Sequence, residues 1–304
     1  MKRIMLMLLV SYCLSTSSTA FSAEKIFVSI PPVKFFVERI CGGEFHVISL
    51  LKPGDDPHTF EPRPKQMIDL SRASVFFTSG LELERSLLSK IITMNKDLRV
   101  IPLDKGIEKL TMPGREHLFE DHHTPGHSDD PDHQGSPSIH SFPDPHIWNS
   151  PLLVKSIALR ITGSLLELFP EKDERWRENY LVFEKEITEL HEEIQDLFKD
   201  KRGTAFIVFH PSWGYFARDY GLVQIPVEIE GKEPKPADLK KLIDIAREND
   251  VRTIFVSPQF SRRSATILAE QIGADIIAID PLAEDWTDNI RKVAHSVAMS
   301  MEKD

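Results

Sequence analysis

Glu171–Asp200 reads EKDERWRENYLVFEKEITELHEEIQDLFKD. Trp176, Tyr180, Phe183, Ile187, Leu190, Ile194 and Leu197 recur at spacings of 4, 3, 4, 3, 4, 3. That period puts one apolar seam on one face of a single helix of about 30 residues, roughly 45 Å long. The remaining faces carry 11 acids and 5 bases. A coiled-coil dimer would use such a seam, but it lasts only about three to four heptads and lies between two similar patterns. A rigid connector packed along both halves is the better reading.

On its N-terminal side, short β-rich runs alternate with helical stretches. Strands are expected at 26–30 (IFVSI), 46–51 (HVISLL), 75–78 (VFFT) and 98–103 (LRVIPL). Helices are expected at about 33–41, 64–72, 81–93 and from 151. On its C-terminal side the alternation restarts. Strands are expected at 204–209 (TAFIVF), 223–227, 253–257 (TIFVS) and 275–279 (DIIAI), with helices at about 213–220, 236–249, 262–273 and 286–302. Such alternation implies α/β architecture: two lobes, each a mostly parallel sheet flanked by helices, joined by one long helix with a ligand cleft between them. The expected units are 1–22, 23–170, 171–201 and 202–304.

Residues 1–22 read as a secretory signal: Lys2 and Arg3 precede an apolar run from Ile4 to Val10, and small residues follow. Cleavage is expected after Ser22. Cys13 could serve a lipid anchor, but Tyr12 before it makes a poor lipidation site. The precursor's net charge is -10; removal of two bases leaves 35 bases against 47 acids, or -12. Only Cys41 of the two cysteines then remains, and one cysteine forms no internal disulfide. The acidic balance argues against nucleic acid as a partner. No later stretch is apolar enough for membrane insertion, so a soluble extracytoplasmic protein is expected.

Twelve histidines are the unusual entry. Six lie in residues 114–144, a stretch dominated by His, Asp, Pro, Gly and Ser and expected to be a long mobile loop. His117, His122, His123, His127, His133 and His140 there could form a weak auxiliary metal site, or the segment could be a solvated linker. His46, His191 and His295 look ordinary, with His191 expected to be solvated. The other three stand at or beyond strand ends or at the end of that loop, beside proline: Asp56-Pro57-His58, Asp144-Pro145-His146 and His210-Pro211. Asp280-Pro281 follows the last strand in the same way. Three neutral imidazoles and one carboxylate, His58, His146, His210 and Asp280, would suit a four-coordinate Zn²⁺ bridging the lobes. Asp56 and Glu61 either orient the His58 imidazole or are polar loop residues. Trp148, Trp213 and Trp286 each follow one of these segments, either walling the cleft or packing the core. The turn EGKEPKP (230–236) is either a partner contact or an ordinary loop.

The signal, GDDPHTFEP, the histidine-rich insertion, DPHIW, the long helix, FHPSWGYFARDYGL, EGKEPKPADL and IDPLAEDW together resemble the metal-binding solute-binding proteins of ABC transporters, in particular the zinc-uptake (ZnuA-like) branch. The resemblance covers essentially the whole mature chain. It implies the same four ligands and a limited hinge between lobes. It also implies that a monomeric extracytoplasmic protein delivers metal to a membrane permease. Some members carry a disulfide in the second lobe, which this chain lacks. Zinc is the implied cargo, with Mn²⁺ or Fe²⁺ as alternatives carried by relatives. A secreted zinc hydrolase would need an open coordination position and a general base; no HExxH segment is present, and Glu61 or Glu230 would have to serve. A cell-surface adhesin is the third reading.

Overall fold

The computed structural model describes residues 25–112 and 143–302, apart from 230 and 261. The expected signal segment and the six loop histidines lie outside the described residues.

The first sheet holds β1 (Lys25–Val28), β2 (His46–Ser49), β3 (Val75–Thr78) and β4 (Arg99–Pro102), all parallel, in the order β2-β1-β3-β4. The second repeats that plan with β5 (Ala205–Val208), β6 (Val223–Pro226), β7 (Thr253–Val256) and β8 (Asp275–Ala278), ordered β6-β5-β7-β8. Each order reverses beside its first strand. Two topological switch points result, β1/β3 and β5/β7, where open α/β sheets leave a crevice for ligand. β3, β5 and β7 are buried at every residue. Their runs VFFT, AFIV and TIFV therefore read as continuous apolar stretches rather than alternating ones. Every expected strand is present; the last one or two residues of most runs lie past the ladder.

Helices cover both sheets: α1 (Pro31–Cys41), α2 (Pro64–Leu70), α3 (Glu82–Met94), α4 (Pro151–Leu168), α5 (Asp173–Phe198), α6 (Gly214–Tyr220), α7 (Pro236–Glu248), α8 (Arg263–Ile272) and α9 (Trp286–Ser300). Local chemistry sets several ends. Pro31 and Pro32 open α1, where their missing N–H groups cost no helix bond, and Gly42 closes it at φ 63°. Ser150 caps α4 by accepting from the Leu153 N–H at 3.1 Å.

The long helix α5 has 26 residues after a 3-10 turn at Pro170–Lys172. Its seam is buried through Trp176, Phe183, Ile187, Leu190 and Ile194. Each such side chain contributes about 1.5–3 kcal/mol on burial. In the last turn Phe198, not Leu197, is fully buried, because 3.6 residues per turn drift from a 3.5 repeat. The seam is satisfied within the chain, against α4, α1 and the returning α9. Phe36 of α1 packs between Phe183 of α5 and Trp286 of α9, tilted to the first and edge-on to the second, with ring centroids 5.9 and 5.2 Å away. One apolar core thus runs from the first sheet through α5 to α6 and α9, while a smaller one lies under α7 and α8.

Two minor expectations resolve here. Cys41 is fully buried and free, a small core hydrophobe, and burial pushes its thiol pKa up. His191 is not simply solvated: its Nδ1 lies 3.2 Å from the Tyr220 hydroxyl and its ring packs on that phenol. The apolar body of Tyr220, buried against Phe198 and Phe216, holds the imidazole there.

Candidate metal centre

The cleft of about 440 Å³ between the two sheets is lined by residues from both. From the first half come Pro57 and His58 after β2 and Gly80 and Leu81 after β3. From the second come His210, Pro211 and Ser212 after β5, and Gln259 and Phe260 after β7. His146 and Trp148 enter from the segment that precedes α4.

His58, His146 and His210 meet in this cleft. The His210 ring lies at the centre, 5.1 Å from the His58 ring and 5.2 Å from the His146 ring between centroids. His146 and His210 are buried, whereas His58 is exposed at the mouth. Each buried ring has one nitrogen engaged by a carboxylate. His146 Nδ1 is 2.7 Å from Asp144 Oδ1, and His210 Nδ1 is 3.2 Å from Glu228 Oε2. A carboxylate at Nδ1 fixes the ring and the tautomer and leaves Nε2 as the free lone pair. His210 Nε2 is itself buried with no hydrogen-bond partner, and a buried polar atom left unmatched is costly. The pKa values of His58 and His210 are both lowered. Loss of solvent is the main cause, followed for His58 by the neighbouring His210 and for His210, despite an opposing Glu228, by His146. Neutral imidazole is the form that binds metal.

Asp280 is placed differently. Its Oδ1 accepts from Gln259 Nε2 at 2.6 Å and from the Leu282 N–H at 2.9 Å. Gln259 and Pro281 line the cleft. Among the described residues no three His, Cys, Asp or Glu side chains are gathered tightly enough to form a finished cage. The structure therefore brings the three imidazoles together and ties Asp280 Oδ1 to Gln259 and Leu282.

Asp56 does not face an imidazole nitrogen. Its carboxylate accepts from the His58 N–H at 2.9 Å and the Thr59 hydroxyl at 3.0 Å, which ties the loop into an Asx turn. Glu61 is exposed on the same loop. The orienting carboxylates are instead Asp144 and Glu228. Asp144 lies two residues before His146, and its Oδ1 accepts from the His146 N–H at 2.8 Å, which repeats the Asp56–His58 turn. Glu228 lies 18 residues beyond His210, so only the β5–β6 pairing brings it near.

Aromatic rings close the site. Phe260 lies 4.5 Å from His210 at 31° between planes and 6.0 Å from His58. Trp148 packs 5.2 Å from His146, donates its indole N–H to the Pro281 carbonyl at 2.7 Å, and its carbonyl accepts from Trp286 at 2.6 Å. Trp213 is buried in the core. Gly231 and Lys232 of the 230–236 turn face the cleft.

The segment carrying His146 is tied to the second half of the chain. Asn149 donates to the Ser212 carbonyl at 2.9 Å, Ser150 donates to Asp219, and Tyr215 donates to the Asp144 carbonyl at 2.8 Å. The Tyr215 hydroxyl also accepts from the Leu110 N–H at 3.1 Å. Leu110 and Asp144 are bonded in turn, N to O at 2.7 Å. The two feet of the histidine-rich insertion are thus clamped together. Burial raises the Tyr215 phenol to about 12, which keeps it a proton donor.

Residues 26–299 match the family described as zinc-uptake complex component A, periplasmic. The crystal structure of a protein named ZnuA is 39% identical, with TM-score 0.80 over 91% of this chain and 99% of that one. A putative metal-binding protein of Chlamydia trachomatis is 26% identical over 90% of this chain and 91% of its own length. The zinc-binding protein AdcA of Streptococcus pyogenes is 28% identical over 92% of this chain, which spans only 54% of AdcA.

Proposed function

This chain belongs to the zinc-uptake complex component A family, and on that premise we propose that it captures Zn²⁺ in its cleft and delivers it to an ABC permease. It is a binding protein and not an enzyme. One observation carries the site: three imidazoles converge, the two buried ones have Nδ1 engaged by carboxylates, and His210 Nε2 is buried and unmatched. A cation at that point would satisfy the orphaned nitrogen. His58, His146 and His210 supply three nitrogens and Asp280 the fourth ligand, a set suited to zinc. Filling every position from protein leaves no place for an activated water, so binding is not followed by hydrolysis.

The protein works extracytoplasmically as a monomer after cleavage behind Ser22. Among the described residues no helix is long and apolar enough to cross a membrane. N-terminal sequencing of the secreted protein tests the cleavage point, and light scattering tests the monomer.

The deciding experiment is competitive titration of the mature protein lacking residues 117–140 with Zn²⁺, Mn²⁺ and Fe²⁺. One tightly bound Zn²⁺ is expected, lost or much weakened in His58→Ala or His210→Ala. Tight binding that survives replacement of all three histidines would refute the site. Preference for Mn²⁺ or Fe²⁺ would overturn the choice of cargo.

A further inference from the structure

We propose that Gln259 is a positioning residue that limits Asp280 to one metal-binding oxygen and so favours a four-coordinate cation. The inference rests on the reading of His58, His146, His210 and Asp280 as ligands, and it assigns a role to a residue outside that set.

A carboxylate oxygen has two in-plane acceptor positions. On Asp280 Oδ1 both are filled, one by Gln259 Nε2 at 2.6 Å and one by the Leu282 N–H at 2.9 Å. Only Oδ2 is then free to meet a metal. The Gln259 amide has one sensible orientation, because turning it would set two oxygens face to face. Its own carbonyl Oε1 is buried with no donor, so its contact with Asp280 and not its own needs holds the side chain there. Gln259 also sits three residues past β7, beside the β5/β7 switch point, and its neighbour Phe260 stacks on His210. The residue that restrains the carboxylate and the residue that covers the central imidazole are therefore consecutive.

The consequence is coordination number. Three imidazole nitrogens and one carboxylate oxygen make four ligands, the tetrahedral set that Zn²⁺ accepts. With the Gln259 donor removed, one Oδ1 position opens while the Leu282 N–H still holds the carboxylate in place. Asp280 can then bind through both oxygens. Five ligands with more oxygen character suit Mn²⁺ better than the original four.

The test uses the mature protein lacking residues 117–140, with Gln259→Met and Gln259→Asn; methionine keeps the length without the donor, and asparagine keeps the amide but is too short to reach. Co²⁺ absorption reads coordination number, and competition reads the Zn²⁺ to Mn²⁺ affinity ratio. Thermal unfolding of the metal-free proteins identifies which variant is folded. Wild type should give the intense bands of four-coordinate Co²⁺. Whichever variant folds should give the weaker five-coordinate spectrum, with the affinity ratio reduced about 10-fold or more. An unchanged spectrum, an unchanged ratio, or a five-coordinate wild type would each overturn the proposal. His210→Ala separates the two readings. If it abolishes the Co²⁺ bands while Gln259→Met leaves them unaltered, only the role of Gln259 fails. If the bands persist in His210→Ala, the ligand set itself fails and the inference falls with it.

Discussion

At the scale of single residues, the proposed site depends on imidazoles kept neutral and aimed. Loss of solvent, aided at His58 by the nearby His210 and at His210 by His146, holds both below the ordinary imidazole value of 6.5. Protons compete with metal only below a ligand's own pKa. At His58 and His210 proton competition with Zn²⁺ should therefore set in below pH 6.5, and affinity should fall as the solution is made more acid, as calorimetry across a pH series would show. The sign for stability is separate. A histidine lowered on folding favours the folded state above its unfolded pKa and loses that contribution as pH falls from about 6.5 toward the folded value. Metal-free protein should thus begin to lose stability at milder acidity than the metal complex. Glu228→Gln removes the charged partner of His210 Nδ1 but keeps an acceptor. Zn²⁺ affinity should fall about 10- to 100-fold with the fold intact, measured by chelator competition. An unaltered affinity would show that Glu228 is packing only.

Among elements, the turn from β3 into α3 forms one rim of the cleft, and a single buried acid organises it. Glu84 accepts from the N–H groups of Ser79, Gly80 and Leu81 at 2.7, 2.8 and 3.0 Å. Burial pushes its carboxyl up, against the pull of these bonds. Gly80 is required there: its φ is 84°, and an added Cβ would meet Asp104 and Lys109 at 2.6 Å. Glu84→Ala strands three donors and should destabilise the protein by roughly 3 kcal/mol or more in chemical denaturation. This element was legible as a helix from its apolar spacing. The clasp was not, because an acid in a first turn reads equally well as a solvated, dipole-favoured residue. The same limit applies to His191. Its charged neighbours suggested solvent, and the Tyr220 phenol across the α5–α6 contact decided otherwise.

For the whole molecule, the two sheets and the helix between them make a cleft whose metal should stabilise both sides at once. Free Zn²⁺ at 100 times Kd should raise unfolding free energy by about 2.7 kcal/mol, and His210→Ala should abolish the gain. The feet of the insertion, Leu110 and Asp144, are bonded to each other and to Tyr215. Removal of residues 117–140 should therefore leave the unfolding transition of the metal-free protein unchanged. If the insertion captures metal, calorimetry should count fewer Zn²⁺ in the shortened protein; an equal count would end that idea.

Periodicity alone determined the α/β alternation, the long helix and the placing of His58 and His210 beyond strands and of His146 at the end of the insertion, because side-chain burial repeats at fixed intervals along helix and strand. The DPH segments and the HP and DP junctions marked candidate ligands because proline beside a donor is a local feature. The carboxylate behind His210, the restraint of Asp280 by Gln259, the ring of Phe260 and the return of α9 onto α5 are of another kind. They join residues from separate strands and helices, and no local spacing carries a contact that exists only once parallel sheets have set their order. Strand order brought Glu228 to His210, and the β7–β8 pairing set Gln259 beside Asp280.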